Sequence, residues 1–299
     1  MTNPTPQLVS PSAPRLAVPP GACDTHAHVF GPYAQFPLAE PRPYTPAEAP
    51  KPDYLAMLDA VGFDRGVLVH PGAYGWDHRA MLDTIASAPD RLRGIGVQPH
   101  TATDSELDAL VRGGVRGLRF TDVAGPTAHL QFNGRVGLDT LYALAPRMRQ
   151  RGLHAVIWAN ATAIAAHADH LRRLEMPIVI DHLGFFDVSA GVNDAAFQTL
   201  VALVKEGTAW IKLTVFRNSK SNPLHEDVRP FHDALVNANP ERLLWGSDWP
   251  FLGMSEYRPD NGALLDLMDR WVPDPVLRQK ILVTNPASLY GFHMSSPHI

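Results

Sequence analysis

Eight short apolar runs recur along the chain with longer, helix-spaced segments between them, and this alternation limits the fold more than any other feature. The runs are ACDTHAHVF from Ala22, GVLVH ending at His70, GIGVQP ending at Pro99 and GVRGLRF ending at Phe120. Four more are LHAVIW ending at Trp158, PIVIDH ending at His182, AWIKLTV ending at Val215 and LLWGSD ending at Asp248. Stretches such as DYLAMLDAVG, DSELDALVRGG and DAAFQTLVALVKEG separate them, with apolar residues at three- and four-residue steps and glycine near the C-terminal end. Strands and helices in strict turn build a parallel sheet, because each crossover needs a helix to bring the chain back. About eight such units in about 275 residues is the arithmetic of an α/β fold, a single-domain (β/α)8 TIM barrel, which needs ~250 residues. The alternative is an open doubly wound sheet, and neither a Gly-x-Gly-x-x-Gly loop nor a P-loop supports it.

The barrel is assigned to residues 21–299 and the first twenty residues, MTNPTPQLVSPSAPRLAVPP, to an extended proline-rich arm. That arm lacks a basic stretch followed by an apolar one, so it does not read as a secretory signal. The lone cysteine, Cys23, permits no intrachain disulfide, and a cytoplasmic location is the expectation. With 26 Lys and Arg against 30 Asp and Glu, the net charge of −4 offers no footprint for nucleic acid or an anionic membrane. No apolar run approaches the ~18 residues of a membrane span. A small-molecule partner is expected, and a homo-oligomer is compatible with the composition.

Barrel enzymes place their chemistry over the C-terminal ends of the strands, and four residues of suitable type fall there. His26 and His28 stand two apart on the first strand, where alternation points both to one face. His182 closes the sixth run. Asp248 closes the eighth, among Trp245, Gly246, Trp249 and Pro250, in surroundings that exclude water and suit a general base. Asp181 is expected to point away from His182 and to orient a loop. His154 begins its strand and belongs at the opposite end of the barrel. His70 and His78 flank a loop at the active-site end, His167 and His170 read as a solvated helix face, and Cys23 reads as a buried spectator thiol.

These motifs together resemble the amidohydrolase superfamily, in the branch of 2-pyrone-4,6-dicarboxylic acid lactonases and related lactone hydrolases. The matching segments are CDTHAHVFGP at Cys23, PRPYTP at Pro41, GVRGLRF at Gly114, VIDHLG at Val179 and LLWGSDWPF at Leu243. The resemblance implies hydrolysis of a small anionic lactone, with Asp248 activating water and His26, His28 and His182 polarising the carbonyl. It retains Arg119 as a substrate-binding cation. Arg217, whose guanidinium suits a carboxylate or sulfonate, and Tyr44, in the loop after the first strand, are further substrate-binding candidates. Phe185 and Phe186 stand where the lactonase pattern supplies another arginine, which implies fewer substrate carboxylates. The fifth strand ends without a lysine, histidine or glutamate ligand, and the resembling lactonases work without a metal, so no cofactor is expected. The alternative is one divalent ion, zinc or manganese, held by His26, His28 and Asp248 in a metal-dependent hydrolase or nonoxidative decarboxylase. A non-catalytic small-acid binding protein is the remaining alternative.

Overall fold

The computed structural model describes residues 10–15, 17–122, 132–254 and 257–293. Each apolar run overlaps one strand: β1 (Cys23–Ala27), β2 (Arg65–Val69), β3 (Leu92–Gly96), β4 (Val115–Asp122), β5 (His154–Ala159), β6 (Ile178–Ile180), β7 (Ala209–Lys212) and β8 (Leu243–Leu244). They pair in chain order and all in parallel, as a (β/α)8 barrel requires. β8 is too short to close the barrel by its own ladder. Closure is made by the segment after it: Thr25 N–H donates to Trp245 O at 3.0 Å, Asp248 N–H to His26 O at 2.7 Å, and His28 N–H to Trp249 O at 2.8 Å.

Alternation along the strands divides the apolar residues into two cores. Val67, Val69, Ile95, Val156, Val179 and Leu244 fill the barrel interior, while Leu68, Leu118, Ile157 and Ile211 meet the surrounding helices. Those helices are α1 (Lys51–Val61), α2 (Arg79–Ser87), α3 (Asp104–Arg112), α4 (Leu138–Gln150), α5 (Ala161–Arg172), α6 (Ala195–Lys205), α7 (Arg229–Ala238) and α8 (Asn261–Trp271), followed by the short α9 (Pro275–Gln279) and α10 (Asn285–Tyr290). Several begin at side-chain caps legible in the sequence, with Thr103 and Glu106 forming a capping box on α3 and Asn160, Asp194 and Asp260 capping α5, α6 and α8. Each such cap contributes about 1 kcal/mol.

Among the described residues of the N-terminal segment, Ser12 donates from its backbone N–H to Asp260 at 2.8 Å, and the Arg15 backbone N–H donates to Asp266 at 2.6 Å. Both partners belong to the start and body of α8, so residues 10–15 lie on the outside of the barrel; residues 1–9 and 16 of the expected arm fall outside the described residues. No described helix is long and apolar enough to cross a membrane.

One irregularity in β1 decides what the barrel mouth contains. Asp24 pairs with Gly66 but Ala27 with Leu68, so three steps on β1 match two on β2. The extra residue is a bulge, and it reverses which side chains face inward. Before it, Cys23 packs among Val67, Val69 and Val179 in the interior, a buried thiol as expected. After it, the inward face passes to His26 and His28.

Candidate active site

His26 and His28 meet edge to face with ring centroids 5.1 Å apart, both buried. The Nδ1 of His28 donates to the Val69 carbonyl at 2.7 Å, since a carbonyl only accepts; in the neutral ring the lone pair is therefore on Nε2. That Nε2 lies 3.5 Å from Asp248 Oδ1, and His26 Nε2 lies 3.6 Å from the same oxygen. Asp248 reaches this point from a left-handed turn (φ 54°) just past β8, and its other oxygen is engaged by Arg217 Nε. Arg217 also donates to Leu252 O at 2.8 Å, which holds its guanidinium over the carboxylate. Burial opposes charge on Asp248, but the Arg217 guanidinium outweighs it and holds the carboxyl well below the usual range.

The backbone around this group is tightly specified. A Cβ on Gly246 would come within 2.7 Å of His26 Cβ, so only glycine lets the β8 segment approach the first histidine. Buried Asp24 accepts from Ser247 N–H at 2.8 Å, Ser247 Oγ at 2.7 Å and His26 N–H at 3.1 Å, pinning β1 to the segment that carries Asp248. Burial raises its carboxyl to about 6 even against these donors.

The expectation for Asp181 is overturned. Val179 faces the barrel interior, and two residues on Asp181 does the same, lying 3.3 Å from His26 Nδ1 and 3.0 Å from Lys212 Nζ. Its second oxygen lies 3.0 Å from Arg119 NH2. Regular alternation would then carry His182 outward, but β6 has ended, and consecutive positive φ values at His182 (50°) and Leu183 (56°) turn the imidazole back to the mouth. There its ring centroid lies 4.6 Å from that of His26, and Asn218 Nδ2 donates to its carbonyl at 2.8 Å, holding the turn. Burial lowers His182 to about 4, so it is neutral at pH 7. Both residues therefore belong to the cluster.

Lys212 is the functional-site residue that the sequence reading left without a role. It ends β7 on the face of Trp210, the inward one, and is completely buried with its ammonium 3.2 Å from His26 Nδ1. The same inward parity that exposes Asp181 to the cluster was the available signal. Arg119, expected to bind substrate, stacks on Trp158 at 4.7 Å and keeps its Nε unpartnered. Phe185 packs against the His182 and Trp158 rings, so the wall at that position is aromatic.

Depth sorts these groups. His26, His28, His182, Asp181, Lys212 and Asp248 are buried, the Arg119 and Arg217 side chains are 11% and 20% exposed, and Tyr44 is 37% exposed at the rim. The phenol of Tyr44 is pushed up to about 12, mainly by desolvation, with the Arg119 guanidinium opposing.

The other histidines singled out in the sequence lie outside this cluster. His154 is buried at the start of β5, 5.2 Å from the Tyr290 ring of α10. His70 bonds the Gly75 carbonyl at 2.8 Å and stacks on His78, whose Nε2 accepts from Val97 N–H at 3.1 Å, so the pair shapes its loop. His170 is exposed, as a solvated face requires, but His167 is half-buried and bonds the Tyr142 hydroxyl at 2.7 Å.

Two donor groups among the described residues have the spacing to hold a metal ion: His26, His28 and Asp248, and His26, Asp181 and His182. Both already face a side-chain cation. Lys212 stands against two donors of the second, and Arg217 covers Asp248 in the first. Lys212, Arg119 and Arg217 thus face Asp181, Asp248 and the deeper Asp24, so the acidic groups of the cluster already have cationic partners.

The amidohydrolase family pattern matches residues 23–292. A 4-sulfomuconolactone hydrolase of Rhizobium radiobacter is 44% identical over 94% of this chain and 93% of its own length. A 2-pyrone-4,6-dicarboxylate hydrolase of Comamonas testosteroni is 36% identical, with coverage of 94% and 93%. A crystal structure from Agrobacterium tumefaciens, 25% identical, superposes with a TM-score of 0.83 and covers 96% of this chain and 99% of that one.

Proposed function

The chain belongs to the amidohydrolase family, and from that premise we propose that it hydrolyses a small lactone carrying a carboxylate or sulfonate. The observation that carries this reading is the buried Asp248 carboxylate, within 3.6 Å of two imidazoles and beneath a rim of two guanidiniums. Its chemistry matches the relatives, which are named for lactone hydrolysis. In this reading the anionic group of the substrate sits at the Arg119, Arg217 and Tyr44 level, and the ester carbonyl reaches the deeper histidines.

Two acceptors, Asp248 Oδ1 and the His28 Nε2 lone pair, face one small space, and a water between them is held by donating to both. As that water attacks the lactone carbonyl, its proton passes to Asp248 and a tetrahedral oxyanion forms. His26 and His182 supply the N–H groups that stabilise it, contacts of the kind worth about 3–4 kcal/mol each. Collapse expels the ring oxygen, which takes the proton back from Asp248; ester and water become a carboxylic acid, which ionises by releasing its proton to solvent, and an alcohol, or an enol that passes to its keto tautomer. The direct test is turnover of a panel of carboxylated and sulfonated lactones with product identification, and failure on every member would remove the reading.

The pH dependence follows from the cluster. Asp248 is held well below its usual range and His182 near 4, so neither changes charge between pH 5 and 8, whereas Asp24, which pins β1 to the Asp248 segment, is raised to about 6. We expect the main fall of kcat/KM toward pH 4, as His182 gains a proton and then Asp248 loses its charge, with a partial step near 6 as Asp24 is protonated and its hold on the seam loosens. Complete loss of activity below a limb in that interval, persisting in Asp24→Asn, would mean that a different residue is the base.

The donor group of His26, His28 and Asp248 favours one second reading, a metal-dependent hydrolase or decarboxylase in which a divalent ion would act as Lewis acid. The residues fit three ligands in number, but Arg217 already occupies the carboxylate that would complete them. We therefore expect activity to survive exhaustive chelation unchanged. Loss of activity on chelation with recovery on zinc or manganese would establish the second reading instead.

A further inference from the structure

Lys212 is a fully buried ammonium paired with a carboxylate, and its two close contacts are Asp181 Oδ1 at 3.0 Å and His26 Nδ1 at 3.2 Å. An ammonium has three N–H donors and no lone pair. At 3.2 Å it can meet an imidazole nitrogen only where that nitrogen presents its own lone pair; a second N–H there would set two hydrogens against each other beside a positive charge. The neutral ring of His26 must then carry its hydrogen on Nε2. That nitrogen is buried without a hydrogen-bond partner and faces the space bounded by Asp248 and His28. Without Lys212 the preference would invert: Nδ1 lies 3.3 Å from Asp181 Oδ1, a strong acceptor that would draw the hydrogen to itself and leave Nε2 bare.

We propose that Lys212 is a positioning residue for hydrolysis: its ammonium, standing among the donor atoms of His26 and Asp181, fixes His26 as the Nε2–H tautomer and so makes it a hydrogen-bond donor to the oxyanion. Arg119 supports the arrangement by taking the second oxygen of Asp181, which leaves the first to Lys212. The catalytic meaning rests on the lactonase reading above, whereas the tautomer itself is a property of the resting protein.

The test is long-range 1H–15N correlation spectroscopy on histidine-labelled full-length protein, with His26 identified as the signal lost in His26→Gln. The wild type should show His26 protonated on Nε2. In Lys212→Met, which keeps the length and apolar stem, the hydrogen should move to Nδ1, and kcat should fall at least tenfold while KM stays within about threefold. An Nδ1–H tautomer in the wild type overturns the proposal even if the variant does not fold, as does an unchanged Nε2–H tautomer in folded Lys212→Met. Should the wild type turn over no lactone while its tautomers behave as stated, the lactonase reading fails and the structural assignment of Lys212 stands.

Discussion

Asp248→Asn is expected to keep the barrel and to lose at least ~100-fold in kcat, the usual cost of removing a positioned general base. The substitution is nearly isosteric and preserves an acceptor for Arg217, so circular dichroism and the thermal midpoint serve as controls on the fold. An amide oxygen can still hold a water but takes no proton from it, so the loss belongs in kcat with KM little changed. Near-wild-type turnover by the folded variant would remove Asp248 from the role of base.

The second large effect concerns substrate charge. Phe185 lines the wall with an aromatic ring on His182 and Trp158, while Arg119, pinned by Trp158 and Asp181, keeps one N–H unpartnered. We expect a monoanionic lactone to be hydrolysed better than 2-pyrone-4,6-dicarboxylate. Arg119→Met should cost anionic substrates about 1.5–3 kcal/mol in kcat/KM, a charge-assisted contact, or about 10- to 150-fold. Because Arg119 also neutralises Asp181, a neutral lactone should slow too, but by less, and the difference between the two is the diagnostic quantity. A matched series differing only in carboxylate number measures it. If the dicarboxylate is the best member, or if all members including neutral ones slow equally, Arg119 does not read substrate charge.

The barrel was legible because eight apolar runs and their helical spacers are set by local periodicity, which the tertiary structure does not override. The positions of His26, His28, His182 and Asp248 at the mouth followed from strand ends. What escaped was parity. A bulge in β1 and left-handed residues at His182 and Leu183 are backbone events without a sequence signature of their own, and they reverse the face on which a side chain emerges. Strict alternation with His182 predicts Asp181 outward, but the turn after β6 puts both on the cluster. Lys212 was overlooked for a different reason: a lysine is seldom fully buried, and only its partners Asp181 and Arg119 make that burial tolerable.

The seam that closes the barrel joins the first strand to the segment after the last, and Asp248 lies on it, hydrogen-bonded through its own N–H to the His26 carbonyl. During synthesis the histidines of β1 leave the ribosome more than two hundred residues ahead of the carboxylate they work with. In the proposed mechanism a nascent chain that ends before Asp248 holds every histidine of the cluster and no base, and hydrolytic competence arrives in one step with ring closure. The same geometry makes the two ends of the barrel natural halves for a split reporter: fragments divided at a distant loop would regain activity only on reassembling this seam.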